Sequence, residues 1–273
     1  IDWAKVDFED QNIYDMLSSG DVFGVFQLSE QKDKVMEQKP CCFEDLIAIN
    51  ALIRPGVGDW NEYIKLRNSG FDKSAVQPYM ESTCGLIVYQ DQYLLLAQTY
   101  AGWDIAFSDK HIRKNKDIKN DNELREQFIS DTLSRGYDES TATQIWNSIE
   151  EVVAGGYGFN RAHSTSYAKL SYQTAYLKYY YPAAFYTACL TANQGEAETL
   201  NKIRELVEKA GINLVTPDIN IGSNNFTIHD NEIMFALTAI NGVGEAAYKS
   251  IINMRPIKSF DDFMKRRVPK DVK

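Results

Sequence analysis

The chain has 273 residues, 44% hydrophobic and 25% charged, which allows one large domain or two smaller ones around a real core. Its ordinary apolar content, with no low-complexity segment, excludes disordered and fibrous architectures. Twenty-nine basic and 38 acidic residues give a net charge of −9, which as a total argues against a polyanionic partner. No apolar run approaches the ~20 residues that cross a bilayer, and Ile1-Asp2-Trp3-Ala4-Lys5 lacks the basic and apolar regions of a secretion signal. A cytoplasmic setting with no membrane partner is expected. A first residue that is Ile and not Met suggests a piece of a longer polypeptide.

In chain order, residues 9–18 and 30–38 read as short helices flanking Gly20 to Leu28, whose glycines and alternating apolar residues suggest a turn and a short extended piece. Cysteines stand at 41, 42, 84 and 189 without C-x-x-C spacing, so reduced, mostly buried thiols are expected and no metal site is predicted. Residues 42–53 predict a helix that stops before Pro55, and helical spacing recurs over 89–100, 122–135, 140–153 and 166–181. From residue 195 the texture changes. An amphipathic helix over 195–210 precedes strands at 212–215, 226–229 and 233–237, and then Ile240-Asn241-Gly242-Val243-Gly244 opens a last helix. The fold class expected is mainly α: a helical domain over 1–194, followed over 195–273 by a small α+β domain with short strands.

Charge is unevenly distributed. Residues 1–60 carry 12 acids and 5 bases, whereas 254–273 carry seven bases and three acids. Residues 152–195 contain no Asp or Glu, yet hold Arg161, Lys169, Lys178, His163 and eight tyrosines. Either this is a buried helix with no place for carboxylates, or it faces a polyanion. Within it, Gly155 to Ser164 is a Gly-rich cationic turn in which Asn160, Arg161, His163 and Ser164 can all donate to phosphate oxygens. A second basic cluster is Lys110, His111, Arg113, Lys114, Lys116 and Lys119, opposed only by Asp109 and Asp117. It suits either a solvated helix face or an anion. The Gly242-Val243-Gly244 hairpin frees backbone N–H groups at a helix start, a geometry suited to phosphate and indifferent to base sequence, or else forms an ordinary tight turn.

Several of these segments occur together and in order in one family. Gly24-Val25-Phe26-Gln27-Leu28, Arg54-Pro55-Gly56, Gly85 to Gln92, and Tyr157-Gly158-Phe159-Asn160-Arg161-Ala162-His163-Ser164 resemble the fingers region of the bacterial DNA polymerase III α subunit, a C-family replicative polymerase. Pro217-Asp218-Ile219-Asn220 and the Gly242 hairpin resemble the start of its following helix-hairpin-helix domain. The resemblance implies a helical fingers domain over 1–194 and a truncated helix-hairpin-helix domain over 195–273. It implies a part of a template-directed DNA polymerase, a nucleotidyltransferase that binds incoming deoxynucleoside triphosphates and primer–template DNA. Arg113, Lys114, Asn160, Arg161, His163 and Ser164 would lie near the triphosphate, and Gly242, Val243, Gly244 and Lys249 would hold DNA backbone. A sliding clamp, replisome subunits and a palm region of the same or a companion chain are the further partners implied.

Two departures stand out. No Asp-x-Asp pair occurs in the 273 residues, so the Mg2+ of the complete enzyme is expected on palm residues outside this chain, no catalytic residue is assigned, and the chain alone is expected to be inactive. Where the family shows adjacent arginines, this chain has Ile112-Arg113, leaving Lys110 or Lys114 as substitutes; Arg161 stands where many relatives have Lys. A non-catalytic DNA-binding module, or one chain of a split polymerase, is the alternative. A small-molecule enzyme using Cys84 or His163 lacks a partner constellation.

Overall fold

The computed structural model describes residues 1–72, 74, 76–155 and 158–266, and the chain separates into two compact units, Ile1–Ala175 and Tyr176–Lys273. The division falls inside a helix, ahead of the boundary expected at residue 195. The acid-free stretch, residues 152–195, runs across that division.

Among the described residues, the regular elements of the first unit are helices and helical turns apart from one isolated bridge. Its α-helices are α1 (Gln11–Ser18), α2 (Lys32–Gln38), α3 (Phe43–Leu52), α4 (Trp60–Asn68), α5 (Gln90–Ala101), α6 (Ile105–Ser108), α7 (Asn122–Ser134), α8 (Glu139–Ala154) and the start of α9 (Arg161–Tyr180). Short polar caps begin several of them: Asp10, Asp59, Asp104, Asp121 and Asp138 each accept a backbone N–H of the first turn. Sequence spacing does not predict α4 or the 3-10 turn at Pro78–Thr83; α4 has a weakly amphipathic, strongly polar sequence that carries little periodic signal. Between α1 and α2, residues 21–31 form successive turns and no strand, correcting the short extended piece expected there.

Ile13, Tyr14, Leu17, Val25, Leu28, Leu46, Ile49 and Tyr172 of α9 are all fully buried, with the Tyr14 and Tyr172 rings 5.8 Å apart. One core cluster gathers Tyr93, Leu96, Ala97, Trp103, Ile112, Phe128, Trp146 and Ile149 from α5 to α8. Its aromatic rings meet edge to face or tilted, with Phe128 5.4 Å from Trp103 and 5.3 Å from Trp146. Asp131 and Glu150 accept the two indole N–H groups, at 2.8 and 3.0 Å.

Within the first unit, α9 buries Ser164, Ala168, Ser171, Tyr172 and Ala175, a helical spacing that occupies one face. Hydroxyls fix it: Ser164 donates to the Ile47 carbonyl at 2.6 Å, Ser171 to Phe26 at 2.9 Å and Tyr172 to Asp7 at 2.6 Å. Burial thus accounts for the missing carboxylates on this face, while Ala162, His163, Ser166 and Lys169 remain exposed.

The second unit comprises the end of α9, α10 (Pro182–Ala192), α11 (Ala197–Lys209), β1 (Leu214–Val215), β2 (Thr227–His229), β3 (Glu232–Met234), α12 (Glu245–Asn253) and α13 (Phe260–Lys265). The sheet runs β1-β3-β2; β3 pairs parallel to β1 and antiparallel to β2. All three strands are shorter than expected. The Asp218-Ile219-Asn220 segment is a latch: the Asn220 side chain exchanges two hydrogen bonds with the Ile257 backbone, at 2.9 and 2.7 Å, and Arg255 donates to the Ile219 carbonyl at 2.8 Å. No helix of the described residues is long and apolar enough to cross a membrane.

Candidate nucleotide and nucleic-acid site

The first cluster is assembled by a backbone joint. Phe159 donates its N–H to Val88 at 2.8 Å, and Gln90 donates to the Phe159 carbonyl at 2.9 Å, forming a parallel bridge between Tyr89 and Phe159. The joint is held by Gln92, which is fully buried. Its Oε1 accepts the N–H groups of Val88 and Tyr89 at 2.8 and 2.9 Å, and its amide donates to the Tyr79 carbonyl and the Thr83 hydroxyl at 3.1 and 2.7 Å. Every hydrogen-bonding position of that amide is filled. Gly158 completes the fit, since a Cβ there would stand 2.7 Å from Tyr93 Cε1.

This joint seats the start of α9 beside the start of α5. Arg161 and His163 lie in the first turn of α9, correcting the expectation of a continuous loop through Ser164; the Asn160 side chain accepts the His163 N–H at 3.0 Å and so starts the helix. Arg161 donates to Glu44 at 2.8 Å, lies 3.7 Å from Asp91, and stacks over Tyr89 at 5.3 Å from the ring centre. His163 is exposed, its ring 4.2 Å from Tyr167. Ser164 differs from the expected role, because its hydroxyl is buried and bonded to Ile47. Gly156 and Tyr157 of the same motif lie outside the described residues.

The second cluster follows α6, where Asp109–Arg113 forms a π-helical turn. Ile112 is fully buried among the aromatic core, so the position where the family shows an arginine is a packing position in this chain. Arg113 Nε hydrogen bonds to Asp109 Oδ1, and Lys114 Nζ to Asp109 Oδ2 at 2.6 Å. These two hydrogen bonds, with Arg113 the larger cause, hold the Asp109 carboxyl at about 2. Tyr93, whose hydroxyl is pushed up to about 12 chiefly by burial, feels Arg113 and also Asp91, so both clusters border α5.

In the second unit, Gly242 adopts φ +89°, and Gly244 caps α12 with no side-chain acceptor at its first N–H groups. Lys249 pairs with Glu245 at 3.4 Å. Of the basic C-terminal run, Arg266 is held by Asp262 at 2.8 Å, while Arg267, Lys270 and Lys273 lie outside the described residues.

Sequence spacing missed one grouping: Cys41, Cys42 and Asp45 bring their ligand atoms within 4.8 Å of one another. Its signal was the Cys-Cys pair at the start of α3. The thiols are not mostly buried as expected; Cys84 is buried, Cys42 and Cys189 are half-buried and Cys41 is exposed. The group does not fit Mg2+, which demands oxygen ligands in octahedral array. Arg67 occupies both Asp45 oxygens at 2.7 Å, and burial, then Asp45, pushes the Cys42 thiol up to about 11.

Residues 1–136 match the model of the bacterial DNA polymerase III α-subunit finger domain, and residues 211–273 match the helix-hairpin-helix motif. Together these define a polymerase segment in which a finger domain is followed by a hairpin module. The chain is 33% identical to the DNA polymerase III α subunit of Escherichia coli K12 and 32% to that of Pasteurella multocida, each across 93% of this chain and 23% of the relative. It is 33% identical to the Aquifex aeolicus α subunit, across 97% of this chain and 24% of the relative. The chain belongs to the bacterial DNA polymerase III α-subunit family and spans about a quarter of the length of these curated relatives.

Proposed function

We propose that this chain is the substrate-gripping part of a replicative, template-directed DNA polymerase, with residues 1–194 acting as fingers and 195–273 beginning the helix-hairpin-helix domain. The joint that seats Asn160, Arg161 and His163 on the start of α5 carries this reading, together with the finger-domain match. Arg161, His163 and the Asn160 amide would orient the incoming triphosphate, and Arg113 with Lys114 would supply further positive charge. Glu44, Asp91 and Asp109 keep those cations in place until a phosphate displaces them. The open N–H groups at Gly244 and Lys249 would hold DNA backbone without reading its bases.

Nucleotide addition would require the Mg2+-binding palm residues, so this segment alone is expected to be inactive. The complete enzyme is expected in the cytoplasm, on primer–template DNA, with a sliding clamp and replisome subunits. Primer extension by the polypeptide that contains this segment tests the reading. Arg161→Ala and His163→Ala should slow nucleotide addition far more than they weaken DNA binding; wild-type rates at limiting nucleotide would remove both from the site. Failure of the wild type to extend primers, with DNA binding retained, would favour a non-catalytic DNA-binding module or one chain of a split polymerase.

A further inference from the structure

Arg113, Lys114 and Arg161 each already face a carboxylate. Arg54 does not. It follows α3, its Nε is buried without a hydrogen-bond partner, and none of the ion pairs among the described residues includes it. A buried guanidinium N–H is unfavourable until something supplies its acceptor. The group is nevertheless held in place: its guanidinium lies 5.4 Å from the centre of the Tyr167 ring, and Phe26 packs on the same ring at 5.2 Å.

Tyr167 stands one helical turn beyond His163 on α9, and the His163 ring also rests on it. Arg54, His163 and Asn160 thereby line one cavity of about 570 Å³, walled otherwise by Pro55, Val57 and Phe159. The Asn160 Oδ1 is engaged by the His163 N–H, which leaves its amide N–H groups to donate. Among the described residues, no carboxylate lines this cavity. Its polar side chains are donors, and its one fixed positive charge lacks a counter-ion among the described residues.

We infer that Arg54, presented by Tyr167, is the anion-binding group of this cavity, and that its ligand is a phosphate of the nucleic-acid substrate: a nucleotide polyphosphate or a backbone phosphodiester. The inference rests on the polymerase reading for the source of phosphate, while the cavity's preference for an anion stands on its own residues. Tyr167 is a positioning residue that acts through Arg54 and His163.

The test uses the polypeptide that contains this segment, with inorganic tripolyphosphate and a dideoxy-terminated primer–template as separate probes. Arg54→Gln should weaken tripolyphosphate binding about tenfold or more if a polyphosphate occupies the cavity. If a backbone phosphate does, it should weaken primer–template binding and make its salt dependence shallower. Tyr167→Leu should reproduce the loss and Tyr167→Phe should restore wild-type affinity. Unchanged affinity for both probes in a folded Arg54→Gln variant overturns the inference. If Arg54→Gln fails to fold, equal affinities of the two Tyr167 variants overturn it. A wild type that extends no primers counts against the polymerase reading alone, because the tripolyphosphate measurement still reads Arg54.

Discussion

Gln90 and Phe159 are joined backbone to backbone, and through that bond α5 and α9 start side by side with Asp91 facing Arg161. The adjacent Gly158 leaves no room for a Cβ between the two segments. Gly158→Ala would drive a methyl to 2.7 Å from the Tyr93 ring and 3.3 Å from the Gln90 Cα. Tyr93 is buried and cannot swing away. A loss of about 1–3 kcal/mol in unfolding free energy is expected, as for other overpacked sites. Urea denaturation should show a lower midpoint with an unchanged slope.

Gln92 supports the same joint from beneath, with all four of its hydrogen bonds inside the protein. Gln92→Leu keeps the approximate volume but leaves the Val88 and Tyr89 N–H groups without acceptors. Each buried orphan costs about 1–3 kcal/mol. Hydrogen exchange should report the change first at these two amides, with exchange accelerated there more than in the amides of α7 or α8. Uniform acceleration across the unit would instead indicate a global role.

Helix positions were legible wherever apolar residues recurred at helical spacing, as in α5, α7 and α8, and where Pro55 and Pro182 limited helix extent. The strands were legible as alternating segments, but their short ladders were not, since register depends on partners distant in sequence. The site was legible in its residue types and not in its pairings. Nothing local to Arg161 announces Glu44 or Asp91, because a long-range backbone bridge creates that contact. Ser164 sits among exposed polar neighbours in sequence yet points inward, since in a helix every third or fourth residue returns to the buried face. Ile112 occupies an interior position that its basic neighbours disguise.

Asp109 neutralises two cations at once, so its removal should be felt by anions. Asp109→Asn is expected to raise affinity for primer–template DNA and to steepen its salt dependence, because Arg113 and Lys114 become available to phosphate. The same pairing predicts an acid limb. The carboxyl's folded value of about 2 lies below its ordinary 3.8, so its stabilising contribution is present above that ordinary value and is lost as pH falls toward 2. The contribution is small and salt-screened at this exposed position. Thermal melts of wild type and Asp109→Asn should therefore differ at pH 5, more at low salt, and converge near pH 2.

The two hairpin glycines should behave differently from each other. Gly242 has φ +89° and open space of 4 Å around the point where a Cβ would stand, so Gly242→Ala meets only the left-handed backbone penalty, about 1–2 kcal/mol. Gly244 has φ −80° and the same open space, so Gly244→Ala meets no backbone or steric strain and loses only the N-cap preference for Gly over Ala, about 0.5–1 kcal/mol. It would, however, place a methyl beside the uncapped N–H groups of α12. If those groups receive DNA backbone, Gly244→Ala weakens DNA binding with a smaller drop in melting temperature than Gly242→Ala gives. Lys249→Ala should weaken binding evenly across sequences and lower the salt slope by about one. Anisotropy titrations at several salt concentrations, alongside thermal melts, separate the three. An unaltered affinity in both Gly244→Ala and Lys249→Ala would place the DNA backbone elsewhere on the chain.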